Sequence, residues 1–168
     1  MNAGPAFSWP IRVYWEDTDA GGIVFYANYL KFFERARTEW LRSLGLEQRV
    51  LRERTGRMFV VGETSVRYHR AARLDDELLV TARVQETGRA SLIIAQQAFL
   101  KDSLVKADNL SAAGPPQGAS APSGGSAAAP AASVGALICE ATIRIGWVEA
   151  DSLKPARIPP TLLEALKQ

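Results

Sequence analysis

One stretch of the 168-residue chain limits its fold more than any other. Residues 28–45, NYLKFFERARTEWLRSLG, form the one long segment with helical periodicity and terminal signals at both ends. Tyr29, Phe33, Ala36, Trp40 and Leu44 recur at helical spacing, with Leu30 and Leu41 beside them. Lys31, Glu34, Arg35, Thr38 and Arg42 fall on the opposite face. Asn28 is expected as the N-cap and Gly45 as the C′ residue. A single amphipathic helix needs a partner surface, and the rest of the chain supplies strands.

Residues 11–15 (IRVYW) read as a short strand before the helix. After it come 58–68 (MFVVGETSVRY), 78–87 (LLVTARVQET), 90–100 (ASLIIAQQAFL) and 137–148 (LICEATIRIGWV). The last alternates cleanly, with Leu137, Cys139, Ala141, Ile143, Ile145 and Trp147 on one face and Glu140, Thr142 and Arg144 on the other. Thr87-Gly88-Arg89 predicts a tight hairpin. Residues 159–167 read as a short helix with Pro at its start. Strands in series exclude a doubly wound parallel sheet, which needs strands alternating with helices. The pattern predicts an α+β chain: an antiparallel sheet that wraps around one long central helix.

Residues 111–136 contain 24 Ala, Gly, Pro or Ser out of 26, with no charge and no aromatic ring. Such a stretch cannot bury enough apolar area to offset its ordering entropy. It is expected to be a flexible insertion between the last two strands, because the chain beyond it is too short for a second domain. Residues 1–168 are therefore read as one domain.

Net charge is +2, with acids and bases interspersed, so charge gives no argument for nucleic acid as a partner. Cys139 is the one cysteine and His69 the one histidine. An intrachain disulfide is excluded, and a Ser-His-Asp triad or multi-histidine metal site is disfavoured. The chain shows no signal-peptide pattern and no apolar run approaching the ~18 residues of a membrane span. The expected compartment is the cytoplasm.

Chemistry points to residues 16–29, EDTDAGGIVFYANY, where two aspartates precede a Gly-Gly turn and a greasy run. Asp19 has two readings on its own: an Asx-turn residue that opens a bend, or a reacting carboxylate. A calcium loop fails, because counting from Asp17 puts Gly21 at the fifth position and Asn28 at the twelfth. The Asp-x-Asp loop of Mg²⁺-dependent phosphatases of the haloacid-dehalogenase type would make Asp17 the nucleophile, with Asp75 and Asp76 as a further acidic pair. That fold needs alternating strands and helices.

Read through to Gly45, RVYWEDTDAGGIVFYANYLKFFERARTEWLRSLG resembles the signature of the hotdog-fold acyl-CoA thioesterases, within them the Tol-Pal-associated subfamily and its 4-hydroxybenzoyl-CoA thioesterase relatives. FVVGETSVRYHRAARLDDEL and LKPARIPPTLLEAL continue the resemblance. It implies a hotdog fold and hydrolysis of acyl-CoA to a free acid and CoA, with no metal or redox cofactor. Asp19 falls on the family's catalytic carboxylate, as nucleophile or general base. Gly22, Ile23 and Val24 form the turn, and a backbone N–H near Tyr26, just before the helix, would polarise the substrate carbonyl. Asn28 stands beside it as a substrate-binding position. Asp17 and Glu16 are expected to shape the turn. Glu63 and Thr64 lie on a strand near the site and are given no catalytic role.

Tyr26 stands where members of the Tol-Pal-associated subfamily can carry a His, and looks more like the 4-hydroxybenzoyl-CoA branch. Arg70, Arg73 and Arg89, with Ser91 in support, are candidates to meet the CoA phosphates. The resemblance implies a homodimer or homotetramer with sites at subunit interfaces, and a substrate carried by CoA or by acyl carrier protein. The alternative is a non-catalytic acyl- or partner-binding scaffold of the cell-envelope Tol-Pal system.

Overall fold

The computed structural model describes residues 6–101 and 134–166. In chain order its elements are β1 (Phe7–Arg12), α1 (Asn28–Ser43), α2 (Gln48–Thr55), β2 (Arg57–Tyr68), β3 (Glu77–Thr87), β4 (Ser91–Lys101), β5 (Val134–Glu149) and α3 (Pro160–Ala165). The strands form one five-stranded antiparallel sheet in the order β1-β3-β4-β5-β2. This is the predicted wrapping of a sheet around one long helix.

The core lies between α1 and the sheet. Phe32, Phe33 and Ala36 of α1 are fully buried, together with Leu78 and Val80 of β3, Leu92 and Ile94 of β4, and Trp147 of β5. Each large apolar side chain removed from water contributes about 1.5–3 kcal/mol before ordering entropy is counted. The predicted β5 alternation holds, since Cys139, Ala141, Ile143, Ile145 and Trp147 are all buried. Burial also pushes the Cys139 thiol up to about 12, as expected of an inert core residue.

Several local expectations are corrected. The first strand is not 11–15 but Phe7–Arg12, and Trp15–Asp17 instead form a 3₁₀ turn. Pro10 obscures the strand in the sequence, yet β1 is an edge strand, where a missing N–H is tolerated. Asn28 is the first helical residue and Ala27 occupies the cap position, with no side-chain cap bond. Gly45 follows the C-cap with φ of +74°, the left-handed geometry expected at C′. Leu30 is exposed, so the apolar stripe is narrower at its start. The helix α2 escapes the sequence pattern, because its one apolar pair, Val50 and Leu51, is too short to show periodicity. Residues 134–136, read as the end of the insertion, belong to β5, and the remainder of 111–136 lies outside the described residues.

One polar network crosses the core. On the apolar face of β4, between Ile94 and Ala98, stands Gln96, which is fully buried. Its Nε2 donates to the carbonyls of Phe33 and Thr81, each at 3.1 Å, and its Oε1 accepts from Arg37 Nη1 at 2.7 Å. Arg37 is itself buried on α1 and pairs with Glu34 one turn earlier. These bonds splice α1 to the sheet at one register. Gln96→Leu takes one donor from each of the two carbonyls and removes one partner of a buried guanidinium. It is expected to cost about 2–3 kcal/mol in urea unfolding; a loss below ~0.5 kcal/mol would mean that the network contributes nothing to stability.

Candidate active site

Asp17 organises the region. Its side chain is buried at the end of the 3₁₀ turn, where Oδ2 accepts the Tyr14 N–H at 2.9 Å. Its carbonyl accepts the Phe25 N–H at 2.9 Å and the Asn28 side-chain amide at 3.0 Å. One residue thus joins the turn before the loop, the chain leaving it, and the first residue of α1. The expectation that Asp17 shapes the turn is met, and Asn28 is spent on it rather than on capping the helix.

Between these ties, residues 18–24 form a small closed loop. Thr18 bridges Val24, and Ile23 bridges Arg73. The Asp19 N–H donates to the Ile23 carbonyl at 2.9 Å, and the Gly22 N–H to the Asp19 carbonyl at 3.0 Å. Gly22 has φ of +73°, a conformation that other residues take up only with strain. Val24 is buried, and its N–H donates to the Ala72 carbonyl at 2.9 Å. The loop is therefore anchored to the 69–76 segment between β2 and β3.

Asp19 sits on this loop with an exposed side chain. Its Oδ1 accepts the Gly21 N–H at 2.8 Å, the Asx-type contact that the turn-forming reading requires. Its Oδ2 has no hydrogen-bond partner among the described residues. One oxygen is fixed and the other is left open, which orients a carboxylate without using it up.

Tyr26 lies two residues before α1. Its ring is exposed and meets Tyr68 of β2 edge-on, with centroids 6.4 Å apart, while the Tyr68 hydroxyl donates to the Tyr26 carbonyl at 3.0 Å. The Tyr26 N–H has no acceptor among the described residues. It lies at the positive end of the helix dipole, where a negative oxygen is favoured. Tyr29, one helical turn inward, is buried, and its hydroxyl accepts the Ala72 N–H at 3.0 Å. Burial is the main cause that pushes its pKa up to about 12. Phe25, Tyr26 and Tyr68 leave an exposed aromatic patch beside the loop.

The structure brings Asp19, Gly22, Ile23, Val24, Tyr26 and Asn28 together, with Arg73 bridged to the loop and Arg70 three residues away in the same segment. It does not bring Arg89 and Ser91 there. Ser91 pairs with Gly146, whereas Tyr68 pairs with Cys139, seven positions back along β5. At ~3.3 Å per residue the two ends are roughly 23 Å apart. Gly88, Arg89 and Ala90 are the hairpin turn, closed by the Gly88 N–H on the Ser91 carbonyl at 2.8 Å. Within one chain, the arginines expected around a single nucleotide occupy opposite ends of the sheet.

Tyr68 is a site residue that the sequence reading misses. Its signal is its place at the end of β2, on the same sheet face as Val66. His69, read as an ordinary strand residue, faces Glu140 with Nε2 and Oε1 3.2 Å apart. The phosphatase alternative is excluded by the sheet order, since no strand pair among the described residues is parallel.

Comparison with known proteins points the same way. The thioesterase superfamily matches residues 21–107. Acyl-CoA thioester hydrolase YbgC of Escherichia coli is 34% identical over 163 residues, which cover 96% of each chain. Acyl-CoA thioesterase YbgC of Haemophilus influenzae is 50% identical over 91 residues, 54% of this chain and 67% of that one. The structure of 4-hydroxybenzoyl CoA thioesterase from a Pseudomonas species superposes with a TM-score of 0.72 at 18% identity, over 95% of this chain and 98% of that one, a likeness of fold.

The two aspartates of the motif differ in what their removal should do to the fold. Asp17→Ala leaves the Tyr14 amide without its acceptor, and chemical denaturation is expected to show a loss of about 2 kcal/mol. Asp19→Asn should stay within ~0.5 kcal/mol of the parent. The reverse ranking would contradict this division of labour.

Proposed function

This chain belongs to the thioesterase superfamily and has its hotdog fold, and from that premise we propose that it is an acyl-CoA thioesterase in which Asp19 is the reacting carboxylate. The observation that carries this reading is the loop that holds one oxygen of Asp19 and leaves the other open, on the same anchored segment that leads to the unpaired Tyr26 amide. As a general base, Asp19 takes a proton from water as the water oxygen attacks the thioester carbon. As a nucleophile it attacks that carbon itself, and water then splits the anhydride. On either route the carbonyl oxygen gains negative charge that the Tyr26 N–H stabilises, a donor typically worth ~10²–10³ in rate. CoA leaves as the thiolate, and the products are the free acid and CoA.

The rest of the site is supplied by a second copy of this chain. The sheet has two edges. β1 is six residues long and carries Pro10; β2 is twelve residues long, has no Pro, and exposes Val61 and Tyr68. A long edge strand without Pro favours pairing. Antiparallel pairing of two β2 edges sets the Arg57 end of one chain beside the Tyr68 end of the other. Ser91 is level with Val60 through Gly146, so the partner's β3–β4 hairpin then approaches the loop that holds Asp19. The split arginine set becomes one set, and its guanidinium groups suit CoA phosphates. A single buried, unpaired cysteine fits a reducing compartment such as the cytoplasm.

The test is thiol release from short, long and aromatic acyl-CoAs, by parent and Asp19→Asn side by side. The variant is expected to lose about 10²–10⁴ in kcat with its fold unchanged. Equal turnover by both would remove Asp19 from the chemistry. No turnover from the parent on any of them would favour the partner-binding scaffold.

A further inference from the structure

The carbonyls of Phe25, Tyr26 and Ala27 lead into α1, and they are held in different ways. The Phe25 carbonyl accepts the Asn28 N–H at 2.8 Å and the Ala27 carbonyl accepts the Leu30 N–H at 3.1 Å, so the first turn of α1 ties both. The Tyr26 carbonyl between them accepts no backbone amide among the described residues. Its donor is the Tyr68 hydroxyl, 3.0 Å away and 42 positions further along the chain. The N–H and the carbonyl of Tyr26 flank one Cα. Without the tie at the carbonyl that Cα is free to turn, and the N–H turns with it.

Tyr68 stands on a firm base. It ends β2 paired with Cys139 of β5, and the amides of His69 and Arg70 both donate to the Ile138 carbonyl, at 2.9 and 3.0 Å. Its ring lies against Tyr29 with centroids 5.8 Å apart and meets the Tyr26 ring edge-on. Tyr29 is itself buried and accepts the Ala72 amide. This support comes from the sheet, on a path separate from Asp17, whose contacts reach the Phe25 N–H and the Asn28 side chain. Desolvation of the phenol raises its pKa above the ordinary value, so the hydroxyl keeps the proton that it donates.

With the Tyr26 N–H as the oxyanion donor of an acyl-CoA thioesterase, the reading on which this rests, we propose that Tyr68 is a positioning residue for the hydrolysis. Its hydroxyl holds the Tyr26 carbonyl so that the N–H already points where the thioester oxygen gains charge. The hydroxyl acts through Tyr26 and not on the substrate. A donor aimed in advance favours the transition state over the bound substrate, because the oxygen carries its charge only there. Losing the tie therefore lowers kcat and spares KM.

The test is Tyr68→Phe, which keeps the ring and removes the hydroxyl, measured beside the parent and Asp19→Asn. Its kcat for thiol release should fall about 3–10-fold, the worth of one neutral hydrogen bond. The factor should be the same on short, long and aromatic acyl-CoAs, with KM unchanged. In the free protein, ¹⁵N relaxation should show greater backbone mobility at Tyr26 and Ala27, with the amides of residues 19–24 unmoved. A kcat equal to the parent's, or unchanged mobility at Tyr26, would overturn the positioning role; with Asp19→Asn inactive, the thioesterase reading would still stand. A raised KM confined to aromatic acyl-CoAs would also overturn it, making Tyr68 a substrate contact. No turnover from the parent on any of them would remove the thioesterase reading, and the positioning role with it.

Discussion

The burial of one aspartate holds the site together. Asp17 accepts the Tyr14 amide with its side chain, and with its carbonyl it accepts both the Phe25 amide and the Asn28 side chain. A buried acceptor of this kind is costly to leave unmet, so the three segments it joins are fixed relative to one another. The loop that carries Asp19, the peptide that presents Tyr26, and the start of α1 consequently move as one piece. Catalysis by positioned charge needs that rigidity, because a donor stabilises a developing oxyanion only where it already points.

The proposed second copy rests on the sheet. β2 lies at an edge, with Val61 and Tyr68 exposed, and the aromatic patch of Phe25 and Tyr26 stands beside its end. The arginines lie at the two ends of the sheet, Arg70 and Arg73 next to the loop and Arg89 in the far hairpin. The proposed edge-to-edge pair relates those ends by a two-fold axis, which would turn a long separation within one chain into proximity between two. The core network of Arg37, Gln96 and Glu34 keeps α1 in register with the sheet.

Much of this is legible in the sequence, for identifiable reasons. The 3.6-residue period of α1 and the two-residue period of β5 survive because each element buries one continuous apolar face. The Gly-Gly turn announces a tight loop, and Gly22 takes the positive φ that such a turn needs. The hidden features depend on tertiary partners. Pro10 conceals β1, whose edge position tolerates it, and α2 has too few apolar residues to reveal a period. Gln96 is the readable anomaly, a polar residue on an otherwise apolar strand face, but its partners Arg37 and Phe33 are 59 and 63 positions away in the chain. The separation of Arg89 from Arg70 and Arg73 is a matter of strand register, which the sequence does not state.

The most direct measurement is the structure of the Asp19→Asn chain with an uncleaved acyl-CoA bound. The thioester carbonyl oxygen is expected at about 3 Å from the Tyr26 amide nitrogen. The substituted side chain at position 19 should lie on the open side of the thioester carbon, and the CoA phosphates beside the Arg89 of the second copy. A carbonyl turned away from Tyr26, or a CoA held entirely by one chain without Arg89, would contradict the proposed site.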